Sequence, residues 1–433
     1  MKLCVIGTGY VGLVSGASFA DIGHEVTCVD NDDAKVAMLR SGHIPIYEPG
    51  LSDMVARNVA EGRLTFSGSI AEGVKGAKVV FICVGTPSKA TGEANLVYVE
   101  TVSTEIAEHM GDYLVVVEKS TVPVQTGEWI RTVLSRNNPK NVCFDVVSNP
   151  EFLREGTALE DNMHPDRIVV GTDSENAAEV MRELYAPIIE KTGCPFLVTD
   201  IRTAELIKHA SNAFLATKIS FINAVANICE RAGADVRLVA DGMGLDKRIG
   251  RQFLNAGAGY GGSCFPKDVR AFIHIAHQLG YDFELLKAVA DINEGQKKSI
   301  VRKVKEALWN LEGKRIAVWG LAFKPDTDDL RNAPALDVIQ MLLSQGAEII
   351  ACDPQAMDKA RELLPAVKMA SDCYDAVTDA ECLVVMTEWR EFAEADLDKV
   401  KELMRHPIVV DGRNMWDQQD MEARGFTYVG VGV

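Results

Sequence analysis

Cysteine pairs, positive charge and long apolar runs are what this chain lacks. Its ten cysteines include no Cys-x-x-Cys pair and no metal-ligand spacing. That argues against a zinc site or a disulfide framework and fits reduced thiols in a cytoplasm. No apolar stretch is long enough to span a bilayer, so no membrane partner is expected. Lys and Arg total 45 against 62 Asp and Glu, a net charge of −17. Such a surface disfavours nucleic acid or an anionic membrane and leaves any anionic ligand to locally placed cations. Met1–Ala20 has the outline of a signal peptide, but its glycines fall on a different register, so no targeting is expected. No low-complexity segment or short repeat is visible. What is present is an ordinary globular mix, 47% apolar and 25% charged. At 433 residues the chain is long enough for two or three domains.

Strand and helix signals alternate from the start. Lys2–Ile6 reads as a buried strand, Val11–Ile22 as a helix, and Glu25–Val29 as a strand ending at Asp30. Strand-length apolar runs recur at Lys78–Val84, Leu114–Glu118 and Asp145–Ser148, and Ile168–Val170 and Phe196–Val198 extend the series. This alternation implies a parallel sheet with right-handed crossovers. A helical pattern without Pro or Gly follows from about Thr203 to Ala232. At roughly 45 Å it exceeds what one domain needs. It reads as a spine whose surplus apolar face contacts a second copy of the chain. Further helix is expected to about Leu311. The alternation restarts at Lys314, with strands at Arg315–Trp319, Glu348–Cys352, Cys382–Met386 and Ile408–Val410 and a helix at Ala335–Gln345. The expected fold is α/β, with two Rossmann-like doubly wound parallel-sheet domains joined by a long central helix. The expected segments are 1–202, 203–311 and 312–433.

Gly7-Thr-Gly9-Tyr-Val-Gly12 follows the first strand and opens the first helix. Gly7 permits the tight turn, Gly9 admits a pyrophosphate to the backbone, and Gly12 lets helix and strand pack closely. Asp30 can accept hydrogen bonds from the adenosine ribose hydroxyls. A carboxylate there repels a 2′-phosphate, so NAD is expected rather than NADP. Val84-Gly-Thr86-Pro and Ser120-Thr121-Val-Pro also follow strands, and ligands of doubly wound sheets gather at strand carboxyl ends. Thr86, Ser120 and Thr121 are therefore ligand candidates, although each could equally be a helix N-cap followed by Pro.

Asn149-Pro-Glu151-Phe-Leu-Arg-Glu155 also follows a strand, with two carboxylates four apart that would project from one side of a turn or a helix start. Lys208 and Asn212 share a face of the long helix and can both donate to one developing oxyanion. Gly257-Ala-Gly-Tyr-Gly-Gly-Ser-Cys264-Phe-Pro-Lys-Asp268 places a thiol behind a glycine-rich loop and just before a Pro-initiated helix. The helix dipole and free N–H groups there favour a thiolate. Asp268, four residues on, could activate water or complement the dipole. In the third segment, Ala322-Phe-Lys324-Pro-Asp-Thr-Asp-Asp-Leu-Arg331 replaces the glycine loop after its strand. This longer loop, with Lys324 and Arg331 as its cations, suits a nucleoside diphosphate better than a dinucleotide. Arg248 and Arg413 add cations. No metal is expected.

These motifs, together with Pro45-Ile-Tyr-Glu-Pro-Gly-Leu51 and Phe323–Pro334, resemble those of the UDP-glucose/GDP-mannose dehydrogenase family across nearly the whole chain. The resemblance implies oxidation of a hexose C6 alcohol to an acid with two NAD per sugar. It implies Cys264 as covalent nucleophile, Lys208 and Asn212 as oxyanion donors, and Asp268, Glu151 and Thr121 as managers of proton and water. It also implies cofactor contacts from Gly7, Gly9, Tyr10, Val11, Gly12, Asp30, Lys35, Thr86, Thr121, Glu155, Lys267 and Arg331. Substrate contacts would come from Glu151, Phe152, Leu153, Lys208, Asn212, Phe253, Asn255, Gly257, Tyr260, Gly261, Phe323, Lys324 and Arg413. Arg248 would reach the substrate of a partner subunit in a homodimer. The pattern around Asn149–Gly171 and Arg248–Asp268 favours UDP-glucose as substrate, with GDP-mannose and UDP-N-acetylmannosamine as alternatives. A two-electron hydroxyacid dehydrogenase with a structural Cys264 is a further alternative. Gln125 stands where many relatives carry Gly.

Overall fold

The computed structural model describes residues 1–87, 89 and 93–433. They form two compact units, Met1–Ser211 with Arg270–Leu279, and Asn212–Val269 with Gly280–Val433.

The first unit is built on β1 (Lys2–Ile6), β2 (Glu25–Val29), β3 (Leu64–Ser67), β4 (Val79–Ile82), β5 (Leu114–Glu118), β6 (Phe144–Ser148), β7 (Ile168–Gly171) and β8 (Phe196–Thr199). They form one sheet in the order β3-β2-β1-β4-β5-β6-β7-β8. Alternate residues of the central strands feed two cores, as the two-residue strand period requires. Leu3, Val5, Val79 and Phe81 enter one, and Cys4, Ile6, Val80 and Ile82 enter the other. Both faces are thus covered, as in doubly wound sheets. One joint departs from the expected parallel arrangement. Ser148 of β6 pairs antiparallel with Gly171 of β7, so the intervening chain begins and ends at the carboxyl edge of β6. That brings the Glu151 segment to the edge where ligands of such sheets gather. β3 escaped the sequence reading because four residues, Leu-Thr-Phe-Ser, carry too short an apolar pattern.

The second unit carries β9 (Arg315–Trp319), β10 (Glu348–Cys352), β11 (Lys368–Met369), β12 (Cys382–Val385), β13 (Ile408–Asp411) and β14 (Thr427–Val429). They are ordered β11-β10-β9-β12-β13-β14, with every pairing parallel. β11 and β14, two and three residues long, were not foreseen.

The long helix spans Ile201–Ala232, and the boundary between units falls within it after Ser211. In the second unit it exposes Phe214, Phe221 and Ile228 by 66%, 51% and 63%. Their seven-residue spacing places them along one side of the helix. No helix among the described residues is long and apolar enough to cross a membrane.

Candidate active site

In the first unit the strand order reverses between β1 and β4, the topological switch point where ligands of open α/β sheets bind. Gly7 turns the chain with φ +98°, and a Cβ there would lie 2.6 Å from the Cys83 carbonyl oxygen. A Cβ on Gly12 would collide with the Gly7 carbonyl oxygen. Gly9 differs, because its Cβ direction meets no atom within 4 Å. The helix Tyr10–Asp21 starts at Gly9 without a side-chain cap and without an acid in its first turn. Uncapped N–H groups facing open space make an anion site. The chain therefore fits a bound pyrophosphate.

Asp30 sits at the end of β2, 8% exposed. It accepts from the Thr8 N–H at 2.8 Å, the Thr8 hydroxyl at 2.6 Å and Lys35 Nζ at 3.2 Å. Burial alone would raise its carboxyl, but these bonds, one from the Asp32 N–H and the Lys35 charge hold it below the usual range. Thr86 donates to the Thr121 carbonyl at 2.9 Å, tying together the loops after β4 and β5. Neither threonine is a helix cap. The following helices begin only at Val97 and Thr126, which removes the competing N-cap explanation.

Two residues outside the sequence reading hold that region in place. Glu205, on the long helix, accepts from the Gln125 N–H at 2.7 Å and the Gly127 N–H at 2.8 Å, capping the helix Thr126–Arg136. One turn on, His209 Nε2 bonds the Val122 carbonyl at 2.8 Å. Burial pushes the Glu205 carboxyl up to about 7 against the pull of its two backbone donors. Fully buried Glu118, at the end of β5, is pushed well above the carboxylate range, chiefly by burial. An i, i+4 pair of polar residues on the long helix was the available signal, but only tertiary contact reveals what it grips. Glu48, inside the Pro45–Leu51 motif, accepts from the Gly156 and Ala158 N–H groups, each at 2.7 Å. Gly156 N–H also donates to the Tyr10 hydroxyl at 2.8 Å.

Glu151 and Lys208 form a buried pair, both 4–6% exposed. Lys208 Nζ donates to Glu151 Oε1 at 2.9 Å and to its carbonyl at 2.6 Å. Glu151 Oε2 accepts the Leu153 N–H at 2.6 Å. The Phe152 ring lies under the Arg167 guanidinium at 3.8 Å. Of the turn and the helix start expected for Glu151 and Glu155, the helix start does not occur. Residues 151–154 are irregular, Glu155 sits in a turn, and the next helix starts at Ala158, since Gly156, at φ +84°, takes a left-handed turn that interrupts any earlier helix.

In the second unit Cys264 directly precedes the helix Phe265–Gln278, and its carbonyl accepts the Asp268 N–H at 2.8 Å. The thiol is thus at the helix N-terminus, as its sequence context implies. Asp268, wholly buried, accepts from Asn212 Nδ2 at 2.6 Å and pairs with Lys267 Nζ at 2.9 Å. Phe265 meets Tyr260 and Phe253 edge-on at 5.9 and 6.2 Å. Tyr260 and Gly261 are buried in the loop before Cys264. A Cβ on Gly257 would lie 2.6 Å from the Gly412 carbonyl oxygen. Exposed Asn255 accepts from Arg251 at 2.8 Å. Arg413 donates to the carbonyls of Met386 at 2.7 Å, Phe323 at 3.2 Å and Gly259 at 3.3 Å. Lys324 Nζ lies 5.7 Å from the Phe323 ring centre. Arg331 pairs with Asp329 at 2.7 Å. Arg248, its side chain 89% exposed, pairs locally with Asp246.

The second sheet has no counterpart of the first cradle. Asp353, at the end of β10 as Asp30 is at the end of β2, is wholly buried. It accepts from the N–H groups of Leu321, Ala322, Gln355 and Ala356 and from Trp389 Nε1, at 2.7–3.1 Å. Protein donors take the place a ribose would need. Among the described residues no cluster of His, Cys, Asp and Glu could hold a metal.

One dinucleotide cradle, a helix-start thiol and a second doubly wound sheet without a cradle define a nicotinamide-dependent oxidoreductase that handles another ligand on its second sheet. Residues 1–189, 202–295 and 317–418 match the NAD binding, central and UDP binding domains of the UDP-glucose/GDP-mannose dehydrogenase family. UDP-glucose 6-dehydrogenase TuaD of Bacillus subtilis (strain 168) is 49% identical over 432 residues, covering 100% of this chain and 93% of that protein. The UDP-glucose 6-dehydrogenase of Rhizobium meliloti (strain 1021) is 48% identical, covering 100% and 99%. A UDP-glucose dehydrogenase structure from Pyrobaculum islandicum superposes with a TM-score of 0.92 at 41% identity, covering 99% and 97%. The chain belongs to the UDP-glucose/GDP-mannose dehydrogenase family.

Proposed function

We propose that this protein oxidises the C6 alcohol of UDP-glucose to the carboxylate of UDP-glucuronate, consuming two NAD per sugar. Full-length likeness to UDP-glucose 6-dehydrogenases supports the substrate. The position of Cys264 at a helix start, with Asp268 buried one turn away, carries the chemistry. NAD, when bound at the Gly7–Gly12 cradle, supplies the hydride acceptor.

The C6 hydroxyl gives its proton to a water or base beside Asp268 as it is first oxidised. Cys264 Sγ then adds to the aldehyde carbon, forming a C–S bond, while the carbonyl oxygen takes up a proton. Lys208 and Asn212 steady that oxygen as charge develops on it. The second oxidation leaves a thioester. Water adds with Asp268, Glu151 and Thr121 managing its proton, and the C–S bond breaks to release the acid and the thiol. Covalent retention prevents loss of the aldehyde while cofactor exchanges. Phe152, Leu153, Phe253, Asn255, Gly257, Tyr260, Gly261, Phe323, Lys324 and Arg413 are assigned to the nucleotide sugar. Tyr10, Val11, Lys35, Thr86, Glu155, Lys267 and Arg331 are assigned to the cofactor.

The working segments are 1–202, 203–311 and 312–433, and the protein is a cytoplasmic homodimer. Ten free cysteines fit a reducing compartment. The Phe214, Phe221 and Ile228 stripe is the dimer contact, and exposed Arg248 reaches the partner's substrate. Sedimentation of a Phe221→Glu variant as a monomer tests the contact.

Exhaustive turnover of limiting UDP-glucose should yield about two NADH per sugar. One NADH with free aldehyde would overturn the four-electron reaction. Cys264→Ser should bind both ligands yet turn over slower by several orders of magnitude, because a serine hydroxyl has a much higher pKa and its ester is a poorer acyl donor. Near-normal turnover would return Cys264 to a packing role.

A further inference from the structure

The loop Gly257–Gly262 leads into Cys264 without a neighbouring strand to satisfy its backbone. Buried amide side chains do so instead. The Gly257 N–H donates to Asn223 Oδ1 at 2.8 Å, and its carbonyl accepts from Gln296 Nε2 at 3.1 Å. Asn293 takes both groups of one peptide residue. Its Oδ1 accepts the Tyr260 N–H at 2.8 Å and its Nδ2 donates to the Tyr260 carbonyl at 3.1 Å. Asn227 donates to Gln296 Oε1 at 2.9 Å, fixing which way that amide points. Backbone partners add two more bonds, with Ala258 N–H on the Gly412 carbonyl at 2.8 Å and Gly262 N–H on the Arg331 carbonyl at 2.9 Å.

Asn223, Asn293 and Gln296 are at most 4% exposed. A carboxamide offers one acceptor and two donors, so it reproduces the pairing a β-strand neighbour would give. Buried peptide groups without such partners are costly. Gly259 makes the approach possible. It has φ +102°, and a Cβ there would lie 2.7 Å from Asn293 Oδ1. The amides carry no charge, so acidification does not release them.

We infer that Asn293, supported by Gln296 and Asn223, is a positioning residue for the oxidation, fixing the Tyr260 peptide and so the entry into the helix that presents Cys264. The inference rests on the proposed role of Cys264 as nucleophile. Small displacements of a reacting group cost orders of magnitude in rate. The loop's rigidity is therefore a catalytic requirement rather than a folding convenience.

The full-length protein is tested as Asn293→Ala, Asn293→Asp and Gln296→Ala. Circular dichroism checks the fold, peptide mass spectrometry follows iodoacetamide alkylation of Cys264, and steady-state rates are measured with UDP-glucose and NAD. For Asn293→Ala, kcat should fall by about tenfold or more with KM for NAD within about twofold, and the Cys264 alkylation rate should change by about threefold or more. In Asn293→Asp the carboxylate opposes the Tyr260 carbonyl, while its protonated form regains a donor. Its activity relative to wild type should therefore rise as pH falls. A folded Asn293→Ala with wild-type kcat and alkylation would overturn the inference, as would lost activity with unchanged alkylation and an Asp variant indifferent to pH. If Asn293→Ala does not fold, Gln296→Ala, which leaves the Tyr260 bonds in place, is held to the same alkylation and kcat criteria. Absence of UDP-glucose oxidation in the wild type would overturn the proposed function alone, since alkylation still reports on Asn293.

Discussion

Gly9 and Gly12 stand three residues apart in one motif, yet their alanine variants should fail for different reasons. A methyl on Gly9 meets no protein atom within 4 Å, and its φ of −71° is open to any residue. The cost in the free protein is confined to a poorer helix cap, about 1 kcal/mol or less. The same methyl projects into the space a pyrophosphate must enter, so NAD affinity should fall at least about tenfold, or ~1.4 kcal/mol. A methyl on Gly12 instead strikes the Gly7 carbonyl oxygen and comes within 3.0 Å of Cys83 Cβ. Backbone cannot rotate away as a side chain can, so the helix Tyr10–Asp21 must move off β1. Overpacking of this kind costs about 1–3 kcal/mol, or several degrees in Tm at about 2–4 °C per kcal/mol. Thermal unfolding without ligand, paired with calorimetric NAD titration, separates the two. Gly9→Ala should keep a Tm close to wild type and lose NAD, whereas Gly12→Ala should lose both. Tight NAD binding by Gly9→Ala, or wild-type Tm in Gly12→Ala, would refute the division of roles.

Three further outcomes follow from buried or strained groups. The Glu205 carboxyl is raised to about 7 in the folded chain, while the unfolded chain releases that proton near 4.3. The stability this proton provides is complete below about pH 4.3 and is lost as pH rises through 7. Relative to Glu205→Gln, the wild type should therefore lose up to ~3 kcal/mol between pH 4.5 and 7.5 in urea unfolding, and parallel curves would contradict the assignment. Gln125 holds φ +81°, so Gln125→Gly should stabilise by up to about 1 kcal/mol, the relief of a left-handed side chain less the added freedom of the unfolded chain; a loss of stability would show that the Gln side chain contributes more than its strain. If Asp30 faces the adenosine ribose, NAD should be favoured over NADP by at least about tenfold in kcat/KM, and equal use would show that it does not.

Local patterns decided much of the architecture. β1, β2, β5, β9 and β10 lie where their apolar runs place them, because fully buried parallel strands need continuous apolar residues whatever surrounds them. The Gly7–Gly12 cradle was equally legible, since its geometry is set by residues within one turn of each other. So was the place of Cys264 before its helix, which a glycine-rich loop followed by Pro266 announces locally. Three short strands, β3, β11 and β14, carry too few residues for a period to register. The antiparallel step from β6 to β7 depends on where a loop returns, which no local pattern encodes.

Partnership was decided by the tertiary structure. The sequence placed Glu151, Lys208, Asn212 and Asp268 among the candidates, but not that Lys208 grips Glu151 or that Asn212 grips Asp268. Glu205 offered only an i, i+4 spacing, Glu48 only its place in a motif, and Asn293 no signal at all. Each acts on a backbone segment at least 33 residues away in the chain. Helical period and glycine spacing report only what neighbours along the chain can do. Hydrogen bonding to a distant loop is settled when the fold closes and buried backbone groups must find donors and acceptors.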